Sequence, residues 1–214
     1  MNKTILIVLV AVIIIAVGGY FGIKRFTNIK TSMSTPLDFT VSLLPKEEMK
    51  NKYVMMEYTL SPFPEYHFKL ALGKDWKTVD TALTKQIVEG ATTLHPVGLF
   101  QKRDNGKNPV AEIEVVVANL PIDTPLLSLK DLVKEQYGSK LLVIDNYRAV
   151  GETGQDILFT FKHEAGGVVA TRMFAFKNLD GRVFAISGSA SIGSYNQFAQ
   201  DFYTAMATFS PIAN

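Results

Sequence analysis

The hydrophobic pattern of this chain changes once, early and completely. Ile5 to Ile23 is a run of nineteen residues without a charge, dominated by Ile, Val, Leu and Ala. A helix over it would cover roughly 28 Å, close to the hydrocarbon thickness of a bilayer. Lys3 before the run and Lys24 and Arg25 after it are placed to reach headgroups, and Tyr20 and Phe21 add an aromatic element near one end. The pattern predicts a single membrane span with a short cytoplasmic N-terminus and an exported domain. The competing reading is a signal peptide cleaved near Ala16, Gly18 and Gly19. Residues 1–25 are therefore expected to be an anchor, 26–37 a polar linker and 38–214 one folded domain.

Beyond the linker the period shortens. Phe39, Val41 and Leu43 alternate with Thr40 and Ser42, a strand signal, and Pro45 to Lys52 reads as a charged break. Tyr53 to Leu60 and Tyr66 to Leu72 are rich in β-formers, separated by Ser61-Pro62-Phe63-Pro64. Thr78 to Glu89 places Val79, Ala82, Leu83 and Ile87 on one side and predicts a helix. Val97 to Gln101 and Ala111 to Ala118 flank a segment containing Asn105-Gly106, a strong hairpin signal. In the second of these strands Ala111, Ile113, Val115 and Val117 oppose Glu112 and Glu114, which predicts one buried and one wet face. Ser128 and Gly138 bracket a helix with Leu129, Leu132 and Val133 inward.

Strands at Leu141 to Val150, Asp156 to His163, Val168 to Lys177 and Arg182 to Ala190 follow, joined by turn residues, as an antiparallel meander. A last helix begins at a capping box of Ser194 and Gln197. It carries the stripe Tyr195, Phe198, Ala199, Phe202, Met206 and Phe209, which requires a sheet face to cover it. The fold class is α+β: an antiparallel sheet packed with helices, preceded by one transmembrane helix.

Composition narrows the function more than it names it. The 214 residues are 47% apolar and 20% charged, with net charge +2 and no cysteine. That rules out a disordered chain, a disulfide framework, cysteine-based metal centres and a thiol nucleophile. Setting aside Lys3, Lys24 and Arg25, 19 of the 22 basic residues remain against 20 acidic ones, so the exported part is near neutral. Aromatic and basic residues meet only at scattered points, Tyr147-Arg148 and Phe100 before Lys102 and Arg103, and no nucleic-acid partner is expected.

Catalytic chemistry finds no motif. His67, His95 and His163 have no metal-ligand spacing, and Glu65 with His67 is the best local pair. Ser187-Gly188-Ser189 lies in a strand rather than at a nucleophile elbow, and is read as a place where the last helix approaches the sheet. No P-loop or Gly-x-Gly-x-x-Gly opens a helix. No catalytic, metal or cofactor residues are therefore assigned, and no cofactor is expected. Two residues stand out. Arg172, in an apolar strand, must be paired with Asp156 or Glu152 if it points inward and can contact an anionic partner if it points outward. Trp76 reads as a core or loop anchor before a binding platform.

The tract Tyr66 to Trp76, "YHFKLALGKDW", a strand running into a Gly-x-x-Trp loop, resembles the PsbP-like superfamily, including the DcrB-type bacterial envelope proteins. The block "GQDILFTFKHEAGGVVATRMFAFKNLDGRVFAISGSAS" and the helix "SYNQFAQDFYTAMATF" are similar to that family's closing hairpins and C-terminal helix. The resemblance implies a central antiparallel sheet sandwiched between helices. It also implies a non-enzymatic protein outside an energy-transducing or bacterial membrane that binds or stabilises a larger assembly. No family site residue carries over. The expectation is a membrane-anchored, non-enzymatic envelope protein docking onto a secretion, conjugation or energy-transducing complex. The alternative is a module of the periplasm or cell surface that binds a small ligand or a metal.

Overall fold

A computed structural model describes residues 36–60, 63–79, 87–89, 92–105, 108–119, 128–163, 166–178 and 181–212. The span expected over Ile5 to Ile23 lies outside them, and no described helix is long and apolar enough to cross a membrane.

Residues 36–45 form an extended strap, followed by α1 (Lys46–Lys52), β1 (Tyr53–Leu60), β2 (Phe63–Gly73), β3 (Lys77–Thr78), β4 (Ile87–Glu89), β5 (Thr92–Asp104) and β6 (Asn108–Asn119). Then come α2 (Leu129–Tyr137), a single 3-10 turn, β7 (Leu141–Val150), β8 (Gly154–Lys162), β9 (Val168–Lys177), β10 (Arg182–Ser191), α3 (Tyr195–Thr208) and β11 (Ser210–Pro211). The large sheet has the order β3-β5-β6-β10-β9-β8-β7, with β4 also on β5, and every pair is antiparallel. The expected meander is present as β7 to β10, and Gly166 and Gly167, both at positive φ, turn β8 into β9. The described domain is thus α+β, mostly antiparallel sheet with three described helices.

The two faces of the sheet are covered differently. On one, α2 packs Leu132 and Val133 over Ile157, Phe159 and Met173. On the other, α3 shares the cover with a second sheet, β1-β2-β11, so that Phe68, Leu70, Phe100, Ile113, Phe184 and Phe202 form one core. The second sheet modifies the expected arrangement of helices on both faces: the β1–β2 hairpin turns its own apolar side, Tyr66, Phe68, Leu70 and Leu72, onto the large sheet.

Four local expectations are corrected. Residues 39–43 pair with no strand, because Leu37, Phe39 and Val41 bury against the core while side chains of α3 hold the backbone. The charged break after Pro45 is a short helix with Glu47 and Glu48 in its first turn and Lys50 and Lys52 in its last, a charge order matching the helix dipole. The helix expected over Thr78 to Glu89 is replaced at both described ends by strands, β3 and β4, where Thr78, Ile87 and Val88 are β-branched; residues 80–86 lie outside the described residues. Neither helix cap is made by its serine. Leu129 N–H donates to Gln155 Oε1 (2.7 Å), and the Ser194 hydroxyl pairs with that of Ser191 (2.7 Å).

The stripe of α3 lies on the sheet as expected, and one residue permits it. Gly188 faces Phe202 so closely that a Cβ there would sit inside the van der Waals envelope of the ring. Ser187 and Ser189 point to the opposite face. Gly188→Ala is expected to lift α3 and destabilise the domain by about 1–3 kcal/mol, measured as a lower urea midpoint. An unchanged midpoint would mean that the helix is not seated on β10.

Candidate functional site

Arg172 projects from β9 under α3 and the strap, and is 0% exposed. A buried guanidinium requires a carboxylate, and β8 supplies it: Arg172 Nε donates to Asp156 Oδ1 (3.1 Å) and Nη2 to Oδ2 (2.8 Å). Asp156 also receives Arg148 of β7, Nε and Nη2 lying 3.0 and 2.8 Å from Oδ2. One carboxylate thus serves two guanidiniums. The Phe39 ring of the strap lies 4.3 Å from the Arg172 guanidinium carbon and 5.1 Å from that of Arg148, and Tyr203 of α3 lies 4.8 Å from Arg172. Of the two carboxylates considered from sequence, Asp156 is the partner.

Tyr195, the first residue of α3, belongs to the same cluster. Its ring packs on Phe202 at 5.5 Å, and burial pushes its hydroxyl well above the usual range, opposed by the charge of Arg172 and reinforced by Asp156, Asp38 and Asp145. Two groups here have no hydrogen-bond partner among the described residues, Arg172 Nη1 and the Tyr195 hydroxyl. The strap is fastened by Asn196 and Gln200: Asp38 N–H donates to Asn196 Oδ1 (2.8 Å), and Asn196 Nδ2 and Gln200 Nε2 donate to the carbonyls of Pro36 and Ser42 (2.9 and 3.0 Å).

Arg148 connects this cluster to the edge of the sheet. β7 pairs only with β8, so its outer side is unpaired among the described residues. Pairing places Val143, Asn146, Arg148 and Val150 on the strap side. Val143 (49%), Val150 (38%) and, on the opposite face, Tyr147 (37%) are exposed although apolar. The register slips at Leu141/Val143 and Ile144/Asn146, then runs without interruption to Val150.

Trp76 sits elsewhere. Its Nε1 donates to Asp201 Oδ2 (2.8 Å), the Tyr53 hydroxyl donates to Oδ1 (2.7 Å), and its ring meets Phe198 and Phe202 edge-on. The indole fastens the second sheet to α3. His67 stands 4.0 Å from Glu57, and the side chains of Glu65 and His95 lie outside the described residues. Among the described residues no three His, Asp or Glu side chains converge as a metal-holding group.

The face expected to be wet is not. Glu112 and Glu114 are 4% and 7% exposed. Gln101 Nε2 donates to Glu112 Oε1, and Arg103 Nη2 donates to Gln101 Oε1 (3.0 Å), whereas Glu114 Oε2 is buried without a partner. Burial raises the Glu112 carboxyl to about 7, eased by Gln101 and Arg103. Burial and the neighbouring Glu112 charge raise Glu114 to about 8. Alternation along β6 misled because it records only residue type, and both faces of this sheet are covered.

Phe39, Tyr195, Tyr203 and Asp201 were missed as members of polar clusters. Apolar periodicity marked Phe39 and Tyr195 as core without saying which guanidinium they surround, and nothing in the local sequence singled out Asp201 or Tyr203.

No protein-family model matches the sequence, and no curated protein matches it. Among solved structures the chain is similar to PsbP (CyanoP) from Synechocystis sp. PCC 6803, at 14% identity over 74% of this chain and 92% of that one, with TM-score 0.49. It is also similar to LpqN of Mycobacterium tuberculosis, a protein involved in cell envelope biogenesis (8% identity, 77% and 94% covered, TM-score 0.45). A third is the Ran-binding protein Mog1p of Saccharomyces cerevisiae (10% identity, 75% and 97% covered, TM-score 0.47). At these identities the likeness is one of fold alone.

Proposed function

We propose that this protein is a membrane-anchored, non-enzymatic envelope protein whose exported domain docks onto a larger membrane complex through the open edge of β7. The observation that carries this reading is the edge itself. Among the described residues a ten-residue strand pairs on one side only, and it exposes Val143, Tyr147 and Val150. A free strand edge offers backbone donors and acceptors to an extended segment of a partner, and exposed apolar side chains add area. The two register slips disfavour stacking of identical copies along the whole strand, while the regular stretch from Asn146 to Val150 keeps a short pairing surface. The uncharged run Ile5 to Ile23 supports the anchoring, and the near-neutral remainder fits a protein partner rather than a nucleic acid.

Replacing Val143 and Val150 together by Lys tests the docking. Both are exposed, so the fold should persist with a thermal midpoint close to that of the parent, while Lys on an edge strand opposes strand addition. In blue-native electrophoresis of solubilised native membranes the parent is expected in a high-mass band and the variant at the monomer position. A parent that migrates as a lone monomer, or a variant that stays in the band, overturns the proposal.

A further inference from the structure

Arg172 and Tyr195 present two hydrogen-bond donors without a partner among the described residues. The guanidinium spends Nε and Nη2 on Asp156, and Nη1 has no acceptor. Because a guanidinium does not lose its proton in a protein, Nη1 remains an obligate donor. The Tyr195 hydroxyl is also unpartnered, and both residues are 0% exposed. Buried donors of this kind are rare and call for an acceptor. Asp156 is already shared with Arg148, and the Asp38 carboxylate accepts from Thr40 N–H (2.9 Å) and the Thr40 hydroxyl (3.0 Å), so it is turned into its own strap.

The roof over these donors lies outside both sheets and is fastened by side chains. The strap belongs to no sheet, and its fastenings to α3 are exposed side-chain hydrogen bonds from Asn196 and Gln200. Its Phe39 ring lies over both guanidiniums. Segments held this way open locally at lower free energy than ladder strands. Lifting the strap would uncover Arg172 between β9 and Tyr203 without breaking a sheet hydrogen bond.

We propose that Arg172 Nη1 and the Tyr195 hydroxyl form the floor of a concealed binding site for a small carboxylate, with the strap and Phe39 as its movable roof. A carboxylate offers one oxygen to each donor, and a planar guanidinium matches a planar anion better than an ammonium would. The aromatic walls, Phe39 and Tyr203, favour a ligand with a short carbon chain over a fully hydrated inorganic ion. This site does not depend on docking through β7, since the strap covers the sheet face and β7 its edge.

The test uses the full chain in detergent, titrated with sodium acetate, sodium butyrate or sodium phosphate against sodium chloride at equal ionic strength. Acetate and butyrate are expected to raise the thermal midpoint along a saturating curve, butyrate at lower concentration, with phosphate weaker than either. Tyr195→Phe removes only the hydroxyl and is expected to weaken carboxylate binding about tenfold. In a spectrum of protein labelled with 15N-arginine, the Arg172 guanidinium signals should move with carboxylate and not with chloride, a readout that requires no variant. Equal midpoints in carboxylate and chloride together with unmoved Arg172 signals overturn the site. An undiminished response in a folded Tyr195→Phe variant overturns the role of the hydroxyl and with it the proposed floor.

Discussion

Asp156→Ala is expected to lower the stability of the domain by about 3–5 kcal/mol, the range for leaving a buried charge without its partner. The effect falls on Arg172, which keeps its charge at 0% exposure, and much less on Arg148, whose side chain is 48% exposed and can turn to water. Arg148→Ala should therefore cost about 1 kcal/mol or less. Replacing both members of the buried pair, Arg172→Met with Asp156→Leu, is expected to recover most of the loss, because an apolar pair avoids the desolvation of two ions. Urea denaturation of the three variants gives the comparison. Equal losses in Asp156→Ala and Arg148→Ala would show that Arg172 is not the buried charge that Asp156 neutralises.

The second large effect is a fall in stability as pH rises, and it comes from Glu112 and Glu114. Their carboxyls are raised by burial from an ordinary value of 4.5 to about 7 and about 8. In this range the native state holds protons that the unfolded chain has released, so the slope of stability against pH is negative. The contribution is complete below about pH 4.5, declines through 7 and 8, and levels off above them. Each tenfold gain in proton affinity on folding corresponds to about 1.4 kcal/mol, so the pair places several kcal/mol, as an order of magnitude, between the two limits. Glu114→Gln removes the more strongly buried ionisation while keeping the shape. It is expected to flatten the upper part of the profile and to raise stability at pH 8 more than at pH 5. Denaturation across pH 4.5 to 9 measures it, and a variant profile parallel to that of the parent would contradict the assignment.

The elements that were legible in the sequence share a cause. Val168–Lys177, the Asn105 hairpin and the α3 stripe are governed by local period and turn chemistry, which neighbouring residues carry. The errors also share a cause. Strand alternation at 39–43 looked like pairing, but the strap is held by Asn196 and Gln200 from the far end of the chain. The apolar spacing of Thr78 to Glu89 fitted a helical face, while its described ends pair with β5. The capping serines were in the right places, but Gln155 from β8 accepts the Leu129 N–H in place of Ser128, and the Ser194 hydroxyl pairs with that of Ser191. Each error concerns a contact between residues far apart in sequence or a competition between two local partners.

The candidate site divides in the same way. Arg172 stood out as a charge in an apolar strand, and Asp156 as one of two carboxylates able to pair with it. Their meeting follows from the Leu158–Arg172 register, which places residue 156 diagonally across from residue 172 on the same face. The rings of Phe39 and Tyr203 against the guanidinium depend on where the strap and α3 cross the sheet.

By itself the sequence determined the uncharged run Ile5 to Ile23, the absence of cysteine, the α+β class and the face of α3 that must be buried. These are properties of composition and short-range period, and they persist however the elements pack. Only the tertiary structure decided which polar groups lost their water. It buried Glu112 and Glu114 on a face that alternation left open, gave Asp156 two guanidiniums, and closed Arg172 under a strap more than a hundred residues away in sequence. Desolvation depends on what covers a side chain, and what covers these comes from distant parts of the chain.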